Sequence, residues 1–301
     1  MDQRGSCKVS KTGTRILAVG AAGKFAGLVV PELVKRGAIV RGLTTTADHE
    51  EEVKNNGAQE VAIGDLSDKD GLWAALDGVD SIFYISPVFA ADQAEMGRNM
   101  VEAAQGADVR RIVFSSVIHP ILTAIDNHAA KAPIEEAIVG SDLEYTILHP
   151  TLFYENYATV WPQVAKTGVF AEPYSADSRI GRVDYRDVAE VAAIALTEDR
   201  LLYGTFELCA EGNYDRHEVA AIMSDVLGRE IRAERVPFED WAEKAGIPKE
   251  GPVRSGLKQM YAWYDTHGFV GNALTLRAIL GCEPRTLRAY FEELSAGDRS
   301  L

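Results

Sequence analysis

Cysteine is scarce in this chain. Only Cys7, Cys209 and Cys282 occur among 301 residues, far apart and matching no metal-ligand spacing. An odd, sparse set suits a reducing compartment, and core or surface thiols fit it better than catalytic ones. Positive charge is also in deficit. Lys and Arg number 31 against 45 Asp and Glu, a net charge of −14. That balance argues against nucleic acid or an anionic membrane as the main partner. Long apolar runs are missing too; the longest are strand-length, short of the ~20 residues that span a bilayer. The six histidines (positions 49, 119, 128, 149, 217 and 267) do not cluster at metal-ligand spacing, so no metal site is expected. No signal peptide is legible. Residues 1–13 are polar, lack an apolar core and read as a disordered leader. A cytoplasmic location follows by default.

What is present is an ordinary globular composition, 47% hydrophobic and 25% charged. The length suits two domains or one large α/β unit. Short apolar strands alternate with helical segments. Strands are expected near Ile16–Val19, Ala38–Leu43, Glu60–Ile63, Asp80–Ile85, Arg111–Ser115 and Leu143–Leu148. Helices fall between them, at Lys24–Arg36, Glu50–Asn55, Asp68–Leu76, Ala91–Gln105 and Pro133–Val139. Such alternation implies an α/β fold, a doubly wound parallel sheet covered on both faces. Ligands of these sheets sit beyond the carboxyl ends of the strands. The later segments read as a helix at Asp184–Ala195, a strand at Thr205–Cys209 and a capped helix at Asp215–Leu227. Short helices are expected at Trp241–Ala245 and Tyr261–Tyr264, and a terminal helix at Arg285–Ser295.

The first strand end is the most specific. Gly20-Ala21-Ala22-Gly23-Lys24-Phe25-Ala26 joins a buried strand to a helix, and the βαβ unit closes within about thirty residues. Glycines let the backbone turn sharply and let a pyrophosphate approach without a Cβ in the way. The helix start offers free N–H groups and the positive end of its dipole. After the second strand stand Thr44, Thr45 and Thr46, neither acidic nor basic. The missing carboxylate removes a repulsion against a 2′-phosphate, Lys24 adds positive charge, and threonine hydroxyls can donate to phosphate. NADP(H) is therefore favoured over NAD(H), although Lys24 also fits a solvated first-turn lysine. Asp65-Leu66 after the third strand suits an adenine contact or an N-cap-like turn. Ser86 and Pro87 close the fourth strand and fall in the same row of strand ends.

Taken together, GAAGKFA, GDL, VFSSV, KAPIEE, LHPTLFYEN and VDYRDVA resemble, in this order, the NmrA-like group of atypical short-chain dehydrogenases/reductases. The resemblance implies an NAD(P)-binding Rossmann domain over 14–150. It also implies a smaller α/β substrate-binding subdomain over 151–301, with 183–198 packing back on the Rossmann core. The group includes reductases of quinones, aromatic C=C bonds and carbonyls, and also non-catalytic redox sensors. Ser116 matches the active-site serine that polarises a substrate carbonyl, although a serine pair capping a turn reads equally well. Lys131 stands where the ribose-anchoring lysine is expected, but the proton-donating tyrosine four residues earlier is replaced by Asn127. His128 is a surrogate acid, or else an exposed loop histidine. Pro150 and the Phe153–Asn156 stretch border cofactor and substrate in the group, which makes Tyr154 a second candidate proton donor.

His119, Asn156, Tyr157 and Trp161 are candidates to line a flat, apolar substrate pocket. They belong in part to an aromatic, loop-rich segment over 151–183 whose rings also suit a core. The reading is an NADP(H)-dependent oxidoreductase passing hydride to a small apolar aromatic, carbonyl or quinone-type molecule. The missing tyrosine keeps a non-catalytic NAD(P)-sensing regulator open, and a non-redox lyase or isomerase more weakly. A small-molecule substrate is the expected partner; a homodimer or a protein partner is left open.

Overall fold

The computed structural model describes residues 13–297, so the expected leader, with Cys7, lies outside them but for its last residue. The strands are β1 Arg15–Val19, β2 Ile39–Thr44, β3 Glu60–Ile63, β4 Ser81–Ile85, β5 Arg111–Ser115, β6 Glu144–Pro150, β7 Leu152–Phe153, β8 Val169–Glu172, β9 Ile180–Val183, β10 Gly204–Leu208, β11 Asn213–Tyr214 and β12 Arg232–Arg235. The helices of the first half are α1 Ala26–Lys35, α2 Glu50–Asn55, α3 Lys69–Leu76, α4 Gln93–Gly106, α5 Asp126–Ala129 and α6 Ala132–Val139. Those of the second half are α7 Glu155–Thr167, α8 Tyr185–Thr197, α9 Arg216–Leu227, α10 Phe238–Lys244, α11 Pro252–His267, α12 Leu274–Leu280 and α13 Leu287–Ala296.

Seven strands form one parallel sheet in the order β10-β6-β5-β4-β1-β2-β3. Ile16, Leu17 and Ala18 are fully buried because both faces of the sheet are covered, which is why β1 is an unbroken apolar run. The chain winds outward from β1 to β3, then crosses back to β4. The direction therefore reverses between β1 and β4, and in such sheets the crevice beyond the strand ends at that point is where ligands dock. Apolar residues of α1, α8 and α12 fill one face, and those of α3, α4 and α6 fill the other. Asp68, Asp184 and Asp215 cap α3, α8 and α9 with their side chains, and Gly37 ends the first αβ unit at φ +80°.

Two expectations change. Residues 155–167 are a 13-residue helix rather than loop, despite Pro162 inside it. The short helix expected at Tyr261–Tyr264 is the 16-residue α11. The strand expected at Thr205–Cys209 forms as β10 and is the edge of the main sheet beside β6. A third apolar core, built by α7, α9 and α13, holds the second half together, and a smaller one joins Ile118 to Tyr174, Tyr264 and Phe269.

Candidate active site

The glycine turn lies at the reversal point. Gly20 takes φ +72°, a left-handed conformation that suits glycine. The Gly23 amide donates to the Gly20 carbonyl at 2.7 Å, and a Cβ on Gly23 would meet that oxygen at 3.0 Å. Gly20, Gly23 and Lys24 are exposed, Ala22 and Phe25 are partly exposed, and buried Ala26 begins α1. An exposed glycine turn before a ten-residue helix is a setting in which a pyrophosphate can be held. Lys24 does not simply project into solvent; its Nζ donates to the Glu155 carbonyl at 2.8 Å. Phe25 packs on Phe153 and Tyr185, with ring centroids 4.5 and 4.9 Å apart, so the turn is braced by the end of β7 and the start of α8. Thr45 and Asp65 stand exposed at neighbouring strand ends, while Thr44 and Leu66 are buried. Asp65 Oδ1 accepts the Ser67 amide at 2.8 Å, the N-cap-like turn read from the sequence.

On the other side of the crevice Lys131 is buried at the N-cap of α6, and its Nζ donates to Ser86 Oγ at the end of β4. Ser86 in turn hydrogen-bonds Gln93 at 3.2 Å, while the following Pro87 is exposed. Burial pushes the Lys131 pKa down from 10.5 to about 7, partly opposed by the nearby Glu135 carboxylate. Ser116, at the end of β5, donates its hydroxyl proton to Glu135 Oε1 at 2.5 Å. That proton is therefore not directed at a substrate carbonyl, contrary to the donor role the resemblance implies. His149 Nε2 meets the same carboxylate oxygen at 2.9 Å. Neither Glu135 nor His149 receives a role from sequence alone. The available signals are that Glu135 lies one helical turn after Lys131 and that His149 sits at a strand end. Pro150, buried beside it, accepts the Ile118 amide at 3.0 Å.

The proposed acids fare differently. His128 is buried, not exposed; its Nδ1 donates to the His119 carbonyl at 3.1 Å. Burial lowers its pKa to about 4, which favours the neutral ring over the imidazolium at neutral pH. His119 holds φ +54°, a strained value for a side-chain-bearing residue, and packs its partly exposed ring against Phe269. Tyr154, Tyr157 and Trp161 do not line the crevice. Helical spacing places them on one face of the chain around α7, buried against Tyr290 and Phe291. The Tyr154 hydroxyl has no hydrogen-bond partner among the described residues, and burial raises its pKa well above the ordinary phenol value. Asn156 points the other way on α7 and is exposed.

A cavity of about 500 Å³ lies elsewhere, between β12 and α11, lined by Phe238, Tyr261, Arg235 and Lys258 among others. None of the candidate residues lines it, and its two cations already pair with Asp265 and Glu239. Among the described residues no group of His, Cys, Asp and Glu could hold a metal ion, and no helix is long and apolar enough to cross a membrane.

The family model of the NmrA-like family matches residues 12–293. The chain belongs to the NmrA-like family. Among its relatives, an NAD(P)H azoreductase of Xenophilus azovorans is 26% identical over 288 residues, spanning 91% of this chain and 96% of that protein. Quinone oxidoreductase 2 of Escherichia coli is 24% identical over 288 residues, spanning 90% and 96%. The crystal structure of Citrobacter sp. triphenylmethane reductase complexed with NADP(H) superposes with a TM-score of 0.83 at 22% identity, covering 93% of this chain and 99% of that one. That similarity establishes a shared fold, and the seven-stranded parallel sheet of this chain with its flanking helices is an α/β Rossmann-like arrangement.

Proposed function

We propose that this NmrA-like chain is an NADP(H)-dependent reductase acting on a small apolar substrate of aromatic, unsaturated-carbonyl or quinone type. One observation carries the reading. The glycine turn at Gly20–Gly23 and the buried Lys131–Ser86 pair stand at the ends of the neighbouring strands β1 and β4, where the sheet order reverses. The relatives that are NAD(P)H azoreductase and quinone oxidoreductase support it. When bound, NADPH supplies the hydride from C4 of its nicotinamide. The turn amides and the start of α1 hold the pyrophosphate. Thr45, with no carboxylate beside it on the β2 end, favours the 2′-phosphate over a bare ribose hydroxyl. Lys131 binds the nicotinamide ribose and, with a pKa near neutrality, hands on the proton that balances the hydride. It takes the place of the absent tyrosine, because His128 is neutral and Tyr154 is sealed in a core.

The test is loss of reduced-nicotinamide absorbance against a panel of quinones, enones and ketones. Saturable NADPH oxidation is expected with at least one. The rival reading, a cofactor-binding regulator, draws on Asn127 standing where a tyrosine would donate the proton. Tight NADPH binding without turnover, together with a captured protein partner, would replace the reductase reading by that one.

A further inference from the structure

Glu135 lies in the first turn of α6, four residues beyond Lys131, and its amide donates to the Lys131 carbonyl at 3.0 Å. Its carboxylate reaches the ends of two neighbouring strands. One oxygen accepts both the Ser116 hydroxyl from β5 at 2.5 Å and the His149 ring N–H from β6 at 2.9 Å. Both side chains of the His149–Glu135 pair are mostly buried, at 12% and 16% exposure, so water competes little for these bonds. A serine hydroxyl has one proton and two lone pairs. With the proton on Glu135, what Ser116 Oγ offers any other neighbour is lone pairs. A carbonyl oxygen docked there would meet like polarity.

We propose that Glu135 is a positioning residue: clamped by His149, it takes the Ser116 proton and thereby makes Ser116 a hydrogen-bond acceptor in the crevice. The docked group it selects is a donor, an amide N–H or a hydroxyl, rather than a carbonyl oxygen. This deepens the reductase reading and rests on it. Two donors share that chemistry, the carboxamide N–H of the nicotinamide and a hydroxyl on the substrate.

A double-mutant cycle tests it. Ser116→Ala, Glu135→Ala and the double variant are compared for NADPH affinity by fluorescence titration and for kcat/KM with a hydroxyl-bearing quinone. Each single change is expected to lower one of these by about tenfold, and the double variant to be no worse than either single. A loss in NADPH affinity assigns the donor to the carboxamide; a loss confined to the KM of the quinone assigns it to the substrate. Losses that multiply to about a hundredfold would overturn the proposal, because Glu135 would then act independently of Ser116, for instance through its charge on Lys131. If Glu135→Ala does not fold, Glu135→Gln keeps the volume and the same non-additivity is required of it. Glu136→Gln, at the exposed next position, serves as the unchanged control. A chain that neither binds NADPH nor reduces any quinone would sink the reductase reading and this inference with it. Additive losses in a working enzyme would sink this inference alone.

Discussion

Lys131 is 3% exposed, and loss of hydration is the main influence on its proton affinity. A lysine whose pKa falls from 10.5 to about 7 on folding binds its proton more weakly in the native chain than in the unfolded one. The penalty is fully present below pH about 7 and fades as pH rises toward 10.5. Lys131→Met should therefore raise the urea midpoint more at pH 6 than at pH 9; an equal gain at both would show that the native ammonium is not destabilised. If the ammonium supplies the reaction's proton, kcat/KM for NADPH should decline as pH rises through about 7. Lys131→Ala should lower turnover or NADPH affinity by at least about tenfold. Tyr154→Phe is the counterpart. Its hydroxyl is buried without a partner among the described residues, so the variant should keep its rate within about twofold and lose no stability. A tenfold fall in rate would return Tyr154 to the crevice. At this scale the sequence singled out Gly20, Gly23 and Lys131, whose proposed roles depend on residue type and local spacing. It could not speak about Glu135 and His149, because their meeting at Ser116 joins one helix to two strands. It misplaced Tyr154, Tyr157 and Trp161 because an aromatic side chain reads alike in a pocket and in a core.

Among the elements, β2 decides how closely the glycine turn can lie on the sheet. Gly42 of β2 faces Ala21 of the turn and Val53 of α2; a Cβ built on it would stand 2.8 Å from the Ala21 Cβ and closer still to Val53. Gly42→Ala should cost about 1–3 kcal/mol by overpacking. It should also weaken NADPH binding, since the turn must shift to make room. Thermal melting and cofactor titration of one variant check both, and unchanged values would mean the contact relaxes freely. The βαβ elements of the first half were legible because each is local: apolar run, cap, glycine stop. α7 was not, since Pro162 and the rings of Tyr157 and Trp161 resemble loop chemistry. Yet Tyr154, Tyr157, Ala158, Trp161 and Val164 follow helical spacing along the buried face. α11 was shortened for a similar reason, with Gly256 interrupting a pattern that runs from Val253 to Tyr264.

Across the whole molecule the second half of the chain completes the first. β10 covers the edge of β6, and α8 and α12 bury the α1 face of the sheet with Tyr185, Val188, Leu196, Leu276 and Ile279. No local pattern announces this, because strand order is set by pairing across about sixty residues. A fragment ending at Pro150 would expose that face and leave β6 an open edge. It should show no cooperative unfolding transition in urea, and a sharp one would mean that the sheet stands without its later elements. The net negative charge is no obstacle to an anionic cofactor docked at the glycine turn, where Lys24 and the positive end of the α1 dipole adjoin it. The central claim, that this crevice is a dinucleotide site, is tested most directly by isothermal titration of the intact chain with NADPH and with NADH. The account predicts one NADPH bound per chain, more tightly than NADH, and absence of binding by either would contradict it.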